Sequence, residues 1–327
     1  MMTVFKASMA ALGMVTALTW ASASFAEPDY WKHEWRKTDF SKHSIPYSEI
    51  RSGGPPKDGI PPIDDPKIVP ISEVTDIGKT EPVVGLVING EAVAYSLRIL
   101  MWHEIVNDTV AGVPVAITFC PLCNAAIVFD RRLEGKVLDF GTTGKLRKSD
   151  LVMYDRQTES WWQQFLGEGI VGEMTGKRLK ILPSRLESWE NFKARAPQGK
   201  VLAPNVDGMR DYGSNPYTGY DSLARPFLYD GETPKGVAPL GRVVSLNDKS
   251  QAWSLEYLRQ KREVRLSDGT VINWTKGQNS ALDTEFIHDG KDVGNVTVQK
   301  NGEDIAYFVD FAFAFHAYYP KATLHTK

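Results

Sequence analysis

Two apolar runs separated by Cys120-Pro121-Leu122-Cys123 constrain this chain more than any other stretch in it. Ala116-Ile117-Thr118-Phe119 precedes the pair, Ala125-Ala126-Ile127-Val128-Phe129 follows it, and the cysteines are the only two in 327 residues. Runs of this length bounded by a proline-bearing tetrapeptide read as two strands joined by a tight turn. A thiol pair of the thioredoxin type opens a helix, whose dipole lowers the pKa of the first sulfur. No helical pattern follows this one. Proline pre-sets the turn, and a turn that aims two sulfurs at one point is a metal knuckle supplying two ligands of the three or four that a soft metal takes. The competing reading is a disulfide, to which an isolated pair oxidises in an oxidising compartment. A ring closed over two intervening residues constrains little of the unfolded chain, so it would be a weak staple.

The compartment matters to that choice. Lys6 precedes an uncharged stretch from Ala7 to Ala26, and Ser24-Phe25-Ala26 fits the small-x-small cleavage rule. Residues 1–26 therefore read as a secretory signal, leaving a periplasmic or secreted protein with no membrane span after cleavage. A net charge of −2 without a basic cluster excludes a nucleic-acid surface and leaves a small molecule or a periplasmic protein as partner.

The fold class expected is mainly β (α+β), in two related β-rich halves with a few short helices. The expected divisions are an N-terminal extension with a Gly/Pro-rich loop (27–80), a first half carrying the Cys/His site (81–202), a linker (203–238) and a second half (239–327). Residues 30–40 read as one short helix on the body. Residues 52–66 hold too much glycine and proline for regular structure. Asn89-Gly90 between apolar runs is the strongest short hairpin signal. Residues 97–106 then read as a buried helix carrying His103 and Glu104, Gly141–Gly144 reads as a turn, and 151–155 as a strand. The halves are suggested by matches displaced by about 155 residues: Gly85-Leu86-Val87 with Gly241-Arg242-Val243, Asn124-Ala125-Ala126 with Asn279-Ser280-Ala281, and Asp155 with Asp310. Cys120 and Cys123 then face Thr275 and Gln278, so the reactive side chains belong to one half.

Trp102-His103-Glu104-Ile105-Val106-Asn107-Asp108, Thr118-Phe119-Cys120-Pro121-Leu122-Cys123-Asn124 and Ser149-Asp150-Leu151-Val152-Met153-Tyr154-Asp155-Arg156 together resemble the bacterial and archaeal family catalogued as domain of unknown function 3179. The resemblance covers most of the chain beyond the leader. It implies an exported protein with His and Cys-Pro-x-Cys motifs, and no established reaction.

The leading chemical reading is a transition-metal site. Cys120 and Cys123 supply thiolates, His103 a nitrogen, and Met153, His316 or Asp155 a fourth group. With Met153 the set favours copper; without a thioether it suits zinc or iron. A histidine on a buried helix must bond something, and a backbone carbonyl is the alternative to a ligand or proton-transfer role. Met153 is in a strand, where core filling is the alternative. A second reading makes Cys120, Cys123 and His103 the catalytic groups of a thiol–disulfide redox protein. A third makes the chain a ligand-binding module with a structural disulfide. Hydrolase signatures are missing: there is no Gly-x-Ser-x-Gly elbow, and His103-Glu104 lacks the second histidine of a zinc-protease helix.

Overall fold

Short apolar strands punctuated by left-handed turn residues close the chain into several small sheets. The computed structural model describes residues 28–205 and 210–327, so the expected signal at 1–26 lies outside the described residues. Among the described residues strand far exceeds helix, and the sheets are arranged as a five-bladed, propeller-like ring. One sheet runs Ser184–Ser188, Pro82–Ile88, Glu91–Ser96, Lys200–Leu202, Ile68–Pro70. A second runs Lys180–Leu182, Ala125–Asp130, Val113–Cys120, Ile105–Val110. A third runs Ile50–Ser52, Phe140–Arg147, Asp150–Asp155, Trp161–Gln163, Glu168–Val171. A fourth runs Tyr307–Phe311, Arg242–Leu246, Gln251–Ser254, Thr323–His325, and a fifth Glu263–Arg265, Thr270–Thr275, Asn295–Lys300, Glu303–Asp304.

The first and fourth sheets are wired alike. Each has an antiparallel hairpin followed by a seven-residue helix, Leu97–His103 or Leu255–Lys261, and in each a later strand adds in parallel to the second hairpin strand; in the first sheet Ile68–Pro70 then pairs antiparallel outside it. The helices start at Ser96 and Ser254, whose hydroxyls accept backbone N–H bonds from Arg98 and Tyr257 at 3.2 and 3.1 Å. They stop at Glu104 and Arg262, both left-handed with φ of 57° and 64°. The carbonyls of these two residues accept from Phe119 N at 2.7 Å and Trp274 N at 2.8 Å.

Asn89 and Gly90, with φ of 49° and 83°, form the expected two-residue hairpin turn. Three expectations need correction. The helix expected over 97–106 ends at His103, because Glu104 reverses φ and Ile105 begins a strand. The helix expected over 30–40 is a single turn, Pro28–Trp31. Gly141–Gly144 is no turn: it is part of the strand Phe140–Arg147, with a bulge between Thr142 and Lys145. Its turn comes later, at Lys148 and Ser149, with φ of 53° and 66°.

The bulge explains the glycine. Residues 52–66 fold back over the third sheet, with Gly53 N on Gly144 O at 2.8 Å and Asp58 N on Thr142 O at 2.9 Å. Gly144 has φ +68°, and a Cβ there would sit 1.9 Å from the Pro55 carbonyl oxygen. Gly144→Ala is therefore expected to cost at least about 1–3 kcal/mol in urea unfolding, combining backbone strain with overpacking. A midpoint equal to that of the unsubstituted chain would mean the loop is not held this closely.

Most buried apolar side chains form one cluster that contains both cysteines. Trp31, Trp35, Phe40, Tyr154 and Trp161 form a separate aromatic cluster that ties the N-terminal residues to the third sheet.

Candidate metal centre

The strand Val113–Cys120 ends at the first sulfur. Pro121–Cys123 makes one 3-10 turn with Pro121 at its first position, and left-handed Asn124 (φ 51°) leads into Ala125–Asp130. This is the strand–knuckle–strand arrangement expected from the sequence. Asn124 fixes the exit, its amide donating to Val309 O at 2.7 Å in the fourth sheet. Both cysteines are buried free thiols.

Against this turn lies the tip of the hairpin formed by Phe140–Arg147 and Asp150–Asp155. Two-residue turns of this hand normally carry Asn-Gly; here Lys148 and Ser149 take positive φ instead, at a cost that the surroundings must hold in place. Lys148 Nζ donates to Ala317 O at 2.8 Å, Tyr318 Oη to Arg147 O at 2.8 Å, and Ser149 Oγ to Phe227 O. So pinned, the Ser149 carbonyl sits 3.9 Å from Cys120 Sγ and 3.5 Å from Cys123 Sγ.

Asp150 follows at once. One of its carboxylate oxygens and the two sulfurs lie within 4.8 Å of one another, all three residues buried. Oδ2 accepts from Gln163 Nε2 at 2.6 Å and from Phe165 N at 2.9 Å. Oδ1 is buried and has no hydrogen-bond partner among the described residues, which is costly unless something else meets it.

The electrostatics agree. Burial pushes the Asp150 carboxyl up to about 7 against hydrogen bonding from Phe165, Gln163 and the Cys120 thiol, with Asp310 adding to the rise. Burial raises Cys120, and raises Cys123 well above the ordinary thiol value, helped by Cys120 itself. Burial takes Glu104 to about 8, with Asp150 adding to it. Asp310 is likewise raised by burial, with Lys249 opposing, and Lys249 Nζ is 4.0 Å from Asp310 Oδ2. Among the described residues, two thiols and several carboxyls thus lie in a dry space, with the Lys249 ammonium beside Asp310. Such a cluster either keeps its protons or takes a cation, and a bound cation inverts the local pKa order.

The other candidates fall elsewhere. His103 is not brought into this group of ligand atoms. Its Nδ1 donates to Pro61 O at 2.7 Å and its Nε2 accepts from Tyr212 Oη at 2.7 Å, a neutral ring with both nitrogens used. Burial lowers its pKa, in keeping with that state. Met153 is fully buried in the main apolar cluster, the packing use of a flexible thioether. Asp155 spends its oxygens on Thr158 and Trp162 Nε1. His316 lines a surface cavity with Glu49, Arg51 and Lys148. Asp150 and Glu104 carry no ligand signal in the sequence, although they stand in Ser149–Arg156 and Trp102–Asp108.

Glu104 allows a direct test. Its folded pKa of about 8 exceeds the ordinary 4.5, so the metal-free folded chain holds a proton that the unfolded chain releases. Stability from this group is intact below about pH 4.5 and falls as pH rises toward 8. Glu104→Gln should match the parent near pH 4.5 and exceed it above pH 8 by on the order of a few kcal/mol in denaturant unfolding of metal-free protein. Parallel pH profiles for the two proteins would contradict this.

These features define a class: a propeller-like β protein with a dithiol–carboxylate cluster buried where three sheets meet. Within it, the chain belongs to the family of proteins of unknown function DUF3179, whose model matches residues 57–322. No curated protein and no solved structure matched the chain. No helix among the described residues is long and apolar enough to cross a membrane.

Proposed function

We propose that Cys120, Cys123 and Asp150 hold a divalent transition-metal ion, zinc or ferrous iron, in an exported protein. The observation that carries this is the buried Asp150 carboxylate, which leaves one oxygen without a hydrogen-bond donor and has an oxygen within 4.8 Å of both sulfurs. Two sulfurs and a carboxylate are a donor set for zinc or iron; copper drew its support from the Met153 thioether and the His103 imidazole, and the latter is spent on Pro61 and Tyr212. Three protein ligands leave a position for water or substrate, as in zinc sites that do chemistry. Thiol–disulfide exchange fits less well, because burial raises both thiols when a reactive pair needs a lowered one.

Elemental analysis of protein purified without oxygen should find about one such ion per chain, removable by chelator. Binding must displace protons from the raised thiols and carboxyl, so affinity should rise with pH. Calorimetry in buffers of different ionisation enthalpy should read a release of about two to three protons per ion. Protein that contains no transition metal and takes up no zinc or ferrous iron would refute the proposal.

We further infer that the two halves descend from one duplicated unit. Matching strand order in the first and fourth sheets, the paired serine caps and the paired left-handed stops at Glu104 and Arg262 support this. On that alignment Arg262 replaces Glu104, and one half alone keeps the acid and the sulfurs.

A further inference from the structure

Beside the Cys120–Cys123 turn lies a cavity of about 320 Å³, at the small end of the range for organic ligands. Leu122, Leu151, Tyr217, Tyr220 and Phe227 give it apolar and aromatic walls, and Glu104 gives it a carboxyl. Lys145 also borders it, but its ammonium is 3.7 Å from Glu34 Oε2 and 5.2 Å from the rings of Trp35 and Trp161. Glu104 is only 7% exposed, and no hydrogen bond or ion pair to its carboxyl is present among the described residues. Its backbone is held left-handed by the bond from Phe119 N to its carbonyl. The equivalent backbone position in the fourth-sheet unit carries the exposed Arg262. A strained, buried acid without a partner, facing an apolar space, is a recognition group in search of a donor.

We propose that this cavity binds a small organic amine, its apolar or aromatic body against Leu122, Tyr217, Tyr220 and Phe227 and its ammonium on Glu104. Charge selects this class. Asp150 and Cys120 lie close enough to Glu104 for their charges to act on one another, so an anion would meet like charge, whereas an ammonium gains a charge-assisted bond and aromatic faces. A neutral isostere gains only the apolar contact. Access is provided at Leu223 and Phe227, which border the cavity and are 52% and 53% exposed. The ligand is held by Glu104 and the walls, so the inference goes beyond the metal reading and does not require an ion to be bound.

The test is calorimetric titration of the full chain, metal-free and zinc-loaded, at a pH above the raised Glu104 value of about 8 so that its carboxylate is charged, with benzylamine, benzyl alcohol and benzoate. Benzylamine should bind at least about tenfold tighter than benzyl alcohol, with benzoate weakest. Glu104→Gln should bring amine and alcohol level, while Phe227→Ala should weaken both by a similar factor and leave their ratio intact. Equal affinities of the parent for amine and alcohol would overturn the proposal, as would an amine preference that survives Glu104→Gln or appears only in zinc-loaded protein. A chain that prefers the amine but never takes up zinc would sink the metal reading and leave this one standing.

Discussion

A Cys120→Ser, Cys123→Ser double variant is expected to lose zinc or ferrous-iron affinity by at least about a hundredfold while keeping its β fold. Losing a group that only hydrogen-bonds to a ligand costs about ten- to a hundredfold, and here two of three direct ligands go. The fold should survive because both sulfurs already lie near the Ser149 carbonyl, at 3.9 and 3.5 Å, an acceptor that serine hydroxyls can use. Exchanging a buried thiol for a hydroxyl then costs about 1–3 kcal/mol per site. Asp150→Asn is the companion variant: its amide oxygen can keep the bonds from Gln163 and Phe165 while an NH2 without charge or ligating lone pair takes the Oδ1 position. Its far-ultraviolet circular dichroism should match the parent while its metal content falls. Full occupancy in the double variant would remove the sulfurs from the site.

The second large effect is on stability and lies away from the sulfurs. Asp221, in the segment expected as a linker, is buried between Arg242 Nη1 at 3.0 Å, Ser280 Oγ at 2.6 Å and Lys291 Nζ at 3.0 Å. Burial alone would raise its pKa, but Arg242, Ser280 and Lys291 outweigh burial and hold the carboxyl below the ordinary range. Arg242 itself also donates to Ser280 Oγ at 2.7 Å. Breaking a buried pair from one side leaves the other charge exposed to a dry interior, so Arg242→Met should cost about 3 kcal/mol or more in urea unfolding at neutral pH. The depressed carboxyl gives the sign of the pH dependence. Its contribution is present above the unfolded carboxylate pKa and is lost as pH falls through the folded one. The gap between parent and variant should therefore shrink in acid. A variant as stable as the parent at pH 7 would show that the 210–238 segment is not anchored through this pair.

How much of this the sequence disclosed follows from how local each signal is. The Asn89-Gly90 hairpin and the strand–knuckle–strand at the cysteines were legible, because turn chemistry and apolar runs act over a few residues. The bulge at Gly141–Gly144 was not. Gly144 serves a close approach by Pro55, from a loop about ninety residues earlier, and Gly141 an approach by Asp58 of the same loop. Asp150 was hidden for a similar reason: it arrives at the sulfurs on a hairpin tip from another sheet, and that tip bends at Lys148-Ser149, a pair with no turn signature. His103 shows the converse. Its apolar neighbours in sequence announce a buried setting, and burial forces both ring nitrogens into bonds, but the partners are Pro61 and Tyr212. Glu104 looked like one more helical residue because nothing in its neighbours announces a left-handed stop.

The most direct test of the central claim is X-ray absorption at the metal edge of zinc-loaded, anaerobically prepared protein. Cys120, Cys123 and Asp150 predict two sulfur scatterers at about 2.3 Å together with oxygen at about 2.0–2.2 Å. A shell of nitrogen and oxygen alone, with no sulfur, would contradict the assignment.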